Sequence, residues 1–412
     1  MSARRFPMSM ALLAAVAVTV VGGAPSSTAA SSSPASGAAG APAQAAPAPA
    51  VPERPAPPVP AARGAGTVVR VAPLADGLRL AGSGRSVRLW YRSTSWNGRS
   101  TVVTGTVDVP AGKPPRGGWP VVSYAHGATG VADTCAPSVT GHWVTEKVVL
   151  EALLADGYAI VATDYEGLGT PGPTFPSQGL SEAYNVIDIV RAARRIAPLS
   201  RSWVVAGHSM GGYAAFFTGA TAAGYAPSLD HRGSIALAPV SQWRIQMSSP
   251  VSRDPYVPVD FNALYWATSA SLRFPARFVP EQVFTPRGLE LVELARTLCV
   301  PDLAPAVAGV TNGEVYRDPA ASADLVADLM ARDEVPITRY PRPVRIAQGV
   351  DDPLSALTAI TVAQLTGAGN DVVYLPVEGA DHLTLPTVAL PQLRGWVGEL
   401  FAVPPIRAAV VG

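Results

Sequence analysis

The chain is poor in cysteine, in net charge and in long hydrophobic runs, and each shortage closes off a class of function. Formal net charge is +1 over 412 residues and no Lys/Arg cluster stands out, so a surface that tracks nucleic-acid phosphates has no support. A neutral or apolar partner fits better. Only two cysteines occur, Cys135 and Cys299, and neither has His or carboxylate companions at metal-ligand spacing. In an oxidising compartment such a pair tends to form a structural disulfide, with a metal or redox site as the alternative reading. After the N-terminal region no segment reaches about 18 uncharged apolar residues, so a retained transmembrane helix is not expected. No repeat of solenoid period is present either.

What is present at the N-terminus is an export signal: basic Arg4 and Arg5, an apolar run from Met10 to Val21, then small residues suited to signal peptidase. Cleavage after Ala30 fits best, and Ala43-Gln44-Ala45 is a second match. Residues 1–30 are therefore expected to be a signal peptide and the mature chain to be secreted. Residues 31–62 are almost entirely Ala, Pro, Ser and Gly, without the large side chains that offset chain entropy, and are read as a disordered tether.

From residue 63 the pattern is that of a folded α/β chain. "RSVRLWYRST" and "RSTVVTGTVDVP" alternate like two neighbouring strands. "WPVVSYAHG", "YAIVATDY", "SWVVAGHS", "GSIALAPV", "PVRIAQGV" and "VVYLPVEG" are short, nearly continuous apolar runs, as strands buried on both faces require. Helical periodicity separates most of them, at Trp143–Ala155, Ser181–Ala197, Ser209–Tyr225, Leu354–Leu365 and Pro391–Phe401. In the second of these Ser181 reads as the cap and Glu182 as a first-turn acid. Strand and helix in alternation imply a mostly parallel sheet with helices on both faces, whose catalytic groups belong in loops after the strands.

Ser209, in "VVAGHSMGGYAA", ends a strand-like run and opens a helix, the setting of a nucleophile elbow. Gly207 and Gly211 stand where a tight turn leaves no room for side chains, and no Walker Gly-Lys-Ser/Thr is present to suggest a phosphate loop. A serine needs a base. Of the five histidines, His382 in "VEGADHLTLP" alone follows a late strand. His208 points away from its neighbour inside the elbow, His126 sits in another rim loop, and His142 and His231 precede elements. The acid that orients His382 is expected in "GVDDP": Asp352, with Asp351 a loop carboxylate or helix cap and Asp381 badly placed for its neighbour's ring. The oxyanion calls for backbone donors, Met210 after the serine and Ala128 in "YAHGATG", with Gly127 the next choice.

With "AHGATGVADTCAPS", "ATDYEGLGTPG", "AGHSMGGYAA", "GVDDP" and "GADH" in that order, the chain resembles the secretory lipases, the lipase A-like branch of the α/β-hydrolase superfamily, over most of residues 85–402. The resemblance implies Ser209, Asp352 and His382 as a triad and a disulfide from Cys135 to Cys299. It also implies a helical cap after the sixth core strand, over residues 241–338, dividing a hydrolase core of 63–240 and 339–404. Carboxylic esters, among them acylglycerols, are the implied substrates. Met210 stands where bacterial members often carry Gln, which leaves the backbone donor intact. The expected protein is thus a monomeric secreted serine ester hydrolase, without cofactor, metal or nucleic-acid partner, that touches a lipid interface transiently. An acyltransferase and a non-catalytic binding protein on the same scaffold are the alternatives. The insertion holds Trp243, Tyr256, Phe261, Tyr265, Trp266, Phe274, Phe278 and Phe284, enough to line an acyl pocket or to form the cap's own core. Asp164, Tyr165 and Glu166 of "DYEGLG" lie at the same rim, as cleft walls or as a structural turn.

Overall fold

Nine strands form one sheet in the computed structural model, which describes residues 60–402. The expected signal peptide and most of the tether lie outside these residues. In chain order the strands are β1 (Val68–Pro73), β2 (Ser83–Thr94), β3 (Ser100–Pro110), β4 (Trp119–Ala125), β5 (Ala159–Thr163), β6 (Leu199–His208), β7 (Asp230–Leu237), β8 (Val344–Gly349) and β9 (Val372–Val377). Their order across the sheet is β1-β2-β3-β5-β4-β6-β7-β8-β9. The first three strands and the β3–β5 pair are antiparallel, and β5, β4, β6, β7, β8 and β9 run parallel. This is an α/β-hydrolase sheet.

The central strands β4 and β5 and the second half of β6 are largely apolar because both faces are covered. Val121, Val161, Trp203 and Val205 face one core, with α2 (Gly179–Ala193) and α3 (Met210–Tyr225) packed on it. Val122, Ile160, Val204 and Ala206 face the other, against α1 (Val144–Ala155) and the C-terminal helix at Leu390–Ala402. Successive residues point to opposite faces, so neither side leaves space for polar positions. α2 starts earlier than its apolar spacing suggests: Gln178, not Ser181, is the cap, and its side-chain oxygen accepts the Ser181 amide.

The chain leaves β4 for β5 on one side and returns to β6 on the other. β4 and β6 therefore lie side by side at the reversal, with Ala125 in register with Gly207. Loops leaving these two strands must diverge, and the crevice between them is where open α/β sheets place their sites.

Between β7 and β8 the chain is helical, with α4 (Phe261–Arg273), α5 (Pro286–Ala295), α6 (Val300–Ala306) and α7 (Pro319–Met330) its longer helices. This insertion follows the seventh strand of the sheet, the sixth counted from β2. The additional strand, β1, pairs only with β2 at the edge and exposes much of its surface, so it lacks the buried alternation that marks the others. The insertion's aromatics pack largely on one another. Trp266 meets Phe278 at 5.4 Å between ring centroids, Phe278 meets Phe284 at 6.0 Å and Phe284 meets Tyr316 at 5.4 Å. Tyr256 is the exception, at 85% exposure. α8 (Ser355–Gly367) and α9 (Leu390–Ala402) complete the longer helices.

Candidate active site

The turn from β6 into α3 carries Ser209 in a conformation that L-residues rarely adopt, φ 56° and ψ −120°. Such backbone costs about 1–3 kcal/mol and persists only where its surroundings over-determine it. Here they do. Ser209 donates its amide to the Leu237 carbonyl at 2.9 Å, while its own carbonyl accepts from Tyr213 at 3.1 Å. A Cβ on Gly207 would lie 2.2 Å from the Gly211 oxygen, and one on Gly211 only 1.8 Å from the Ala125 oxygen. Only glycine lets α3 press this closely onto β4 and β6.

His382 reaches this turn from the loop after β9. Its Nε2 lies 2.9 Å from Ser209 Oγ, and its Nδ1 lies 2.7 Å from Asp352 Oδ2. Asp352, 2% exposed, also accepts from Gln348 Nε2 at 2.7 Å and from the Leu354 amide at 2.9 Å. Burial pushes its carboxyl up, but the bond and charge of His382, the Leu354 amide and Gln348 outweigh that and hold it below the usual carboxylate range. Gln348 is itself held by Thr358, which donates to Oε1 at 2.8 Å. His382, Asp352 and Ser209 thus meet from three separate loops. Asp351 and Asp381 stay apart from the ring: Asp351 is exposed, and the Asp381 carboxylate accepts the Leu383 and Thr384 amides at 3.0 and 2.8 Å.

The loop after β4 passes beside the serine, close enough that a Cβ on Gly127 would sit 3.4 Å from Ser209 Cβ. The Gly127 amide donates to Glu146 Oε1 at 2.9 Å, so that N–H already has a partner. The Ala128 carbonyl accepts from Trp143 Nε1 at 3.3 Å, and the Thr129 carbonyl accepts from Val300 at the start of α6 at 2.9 Å. One residue further back in the cap, Cys299 is disulfide-bonded to Cys135, with 5.4 Å between Cα atoms. The bridge therefore ties this loop to the helical insertion. Among the described residues no three His, Cys, Asp or Glu side chains gather as metal ligands.

The "DYEGLG" turn is both scaffold and wall. Asp164 accepts from the amide and hydroxyl of Ser138 at 2.9 and 2.5 Å, and Tyr165 donates to the His126 carbonyl at 3.0 Å. Glu166 accepts from the Ser181 hydroxyl at 2.6 Å. Tyr165 and Glu166, with Phe175, Glu182 and Met210, border a small hollow beside the residue that follows the serine.

Of the remaining histidines, His142 precedes a helix as its sequence position suggests, and His231 does not precede its strand. His231 lies inside β7 and His142 lies in the turn before α1, both buried and pushed by that burial down to about 3 and 4. His208 and Glu146 form a contact that sequence reading did not single out. An acid in the first turn of α1 reads as a partner for the helix dipole, and nothing local points to a loop after a different strand.

Residues 135–244 match the model of the secretory lipase family. Over this stretch the chain is similar to the secretory lipases. The matched segment contains Cys135, Ser209 and Met210 and ends before Asp352 and His382. The likeness in fold extends further, over most of the chain. Candida antarctica lipase A in its closed state superposes with a TM-score of 0.66 at 18% identity over 82% of each chain. A putative hydrolase of Legionella pneumophila gives 0.68 at 18% identity, covering 82% of this chain and all of its own. The rice cell wall degrading esterase LipA of Xanthomonas oryzae gives 0.66 at 17% identity, over 82% of this chain and 98% of its own. Comparison with curated proteins finds no match by sequence.

Proposed function

We propose that this secretory lipase relative is an exported serine ester hydrolase, with Ser209 as nucleophile, His382 as base and Asp352 as orienting acid. The observation that carries the reading is the continuous hydrogen-bonded line from Ser209 Oγ through both ring nitrogens of His382 to Asp352. An ionised carboxylate can only accept, so Asp352 holds the proton on Nδ1 and leaves Nε2 free to take the serine hydrogen. Ser209 Oγ then attacks the ester carbonyl while its proton passes to His382. The Ala128 and Met210 amides, the latter at the start of α3, hold the oxyanion. His382 returns the proton to the departing alcohol, and water, activated by the same ring, releases the acid and restores the serine. These steps require no cofactor. A disulfide suits the oxidising compartment that an exported chain meets.

The acyl part of the substrate is expected to be short. Several cap aromatics are occupied with one another rather than free to line a long acyl channel. The test is hydrolysis of nitrophenyl esters from acetate to palmitate by the protein and by Ser209→Ala. Turnover is expected to peak at short chains and to fall at least ~10⁴-fold in the variant. Parental rates in Ser209→Ala would refute the mechanism, and a palmitate optimum would refute the short-chain assignment.

A further inference from the structure

Behind the triad lies a second carboxylate and histidine. His208, the residue before the serine, is 4% exposed, and Glu146 of α1 is fully buried. The His208 ring sits 5.1 Å from the His382 ring, and its Nε2 lies 2.8 Å from the backbone carbonyl oxygen of His382. A carbonyl can only accept, so Nε2 carries a hydrogen. Nδ1 then faces Glu146 Oε1 at 3.4 Å, a loose contact, and has no nearer hydrogen-bond partner among the described residues. Two bare lone pairs would repel across that gap. One proton must therefore belong to the pair, on Nδ1 or on the carboxyl. Glu146 Oε1 is also the acceptor for the Gly127 amide at 2.9 Å. His126, His142, Tyr124 and Tyr165 are the other titratable groups that bear on Glu146.

Three moving parts of the reaction converge on these two side chains: the loop that carries the base, the elbow that carries the nucleophile, and the loop after β4. We propose that Glu146 and His208 are positioning residues, a proton-sharing pair that clamps the His382 backbone and the Gly127–Ala128 loop to the serine turn as one unit. The proposal rests on the assignment of Ser209 and His382 above. Neither Glu146 nor His208 touches substrate in it. They act by fixing the distance between base and nucleophile, where a displacement of about 1 Å costs on the order of 10²-fold in rate.

The test uses the full chain, active sites counted with a fluorophosphonate, and a short nitrophenyl ester. His208→Phe keeps the ring and removes the N–H; its kcat is expected to fall about 10- to 100-fold with KM within about twofold. His208→Gln, which restores a donor, should recover most of that loss. Glu146→Gln keeps an oxygen for Gly127 and should fall in the same way, and the double variant His208→Phe/Glu146→Gln should be no slower than the worse single one, as for residues that act together. Parental kcat in His208→Phe, equal losses in His208→Phe and His208→Gln, or additive losses in the double variant would overturn the pair's role. So would a failure of both Glu146→Gln and His208→Phe to fold, which would make the contact structural. If Ser209→Ala stays active, the underlying assignment fails instead, and that outcome is read independently of these variants.

Discussion

Reduction of the Cys135–Cys299 bridge offers the sharpest physical test of how the insertion is held. The two residues are 164 positions apart, so the bond closes a loop that spans β5, β6, β7 and much of the cap. In the chain-entropy account a closed loop of about 165 residues removes roughly 17 cal/mol/K from the unfolded ensemble, about 5 kcal/mol at 25 °C. Measured losses for native disulfides are about 2–5 kcal/mol. With unfolding entropy near 2.1 cal/mol/K per residue over about 340 folded residues, 5 kcal/mol corresponds to a Tm decrease of about 7 °C and 2 kcal/mol to about 3 °C. The local packing lost is small, since Cys135 is buried with only Ala136 and Leu168 in its cluster. The assay is calorimetric melting of the protein with and without a phosphine reductant, at one scan rate, beside Cys135→Ala/Cys299→Ala. The parent should melt about 3–7 °C lower when reduced, and the double variant should be insensitive to reductant. A thiol titration showing complete reduction without any change in Tm would refute the reasoning. So would two free thiols in the untreated protein.

Two further predictions concern carboxyl groups in opposite situations. Burial pushes the Glu182 carboxyl up to about 8, with Asp333 adding to the rise and neighbouring amides and Arg273 opposing it. Folded Glu182 therefore keeps its proton between about 4.5 and 8 while the unfolded residue has lost it, so its contribution to stability is present at low pH and declines as pH rises through that window, by at most about 1.4 kcal/mol per unit. Glu182→Gln should gain stability relative to the parent between pH 5 and pH 8 in urea titrations; an equal difference at both pH values would refute it. Asp352→Asn removes the negative charge 2.7 Å from His382 Nδ1 and should lower kcat by about 10³- to 10⁴-fold with little change in KM, whereas Asp351→Asn should stay within about twofold. Equal effects at the two positions, measured on the short nitrophenyl ester, would remove Asp352 from its proposed role.

Much of the parallel sheet was readable because strands such as β5, buried at every position, leave an unbroken apolar run; Ser209 and Asp352 follow buried runs, and His382 follows β9, an edge strand that is apolar in sequence though partly exposed. The first strand was not readable. It is paired on one side only, and its residues answer to solvent as much as to a core. The start of α2 was misplaced for a related reason: Ser181 has the chemistry of a cap, but its hydroxyl is engaged by Glu166, and the side chain of Gln178 does the capping. Composition likewise left open whether the insertion's aromatics line a cleft or support one another. That choice is made by which faces of its helices turn inward, and Trp266, Phe278 and Phe284 turn toward each other. Glu146 was hidden most completely, because its partners are the Gly127 amide in the loop after β4 and His208 at the end of β6.

The backbone at position 209 bears on how this protein could change over generations. A residue with φ 56° and ψ −120° would be more relaxed as glycine, which has no Cβ to crowd the turn. Because most single changes cost stability, a substitution that relieves strain is one that selection for folding alone would favour. A lineage kept only for its ability to stay folded would therefore drift away from serine here. The same turn forbids the opposite drift at Gly207 and Gly211, where any side chain collides with main-chain atoms. Position 209 is thus a place where persistence of the residue and ease of folding pull in opposite directions, so that a serine retained there registers selection for reactivity.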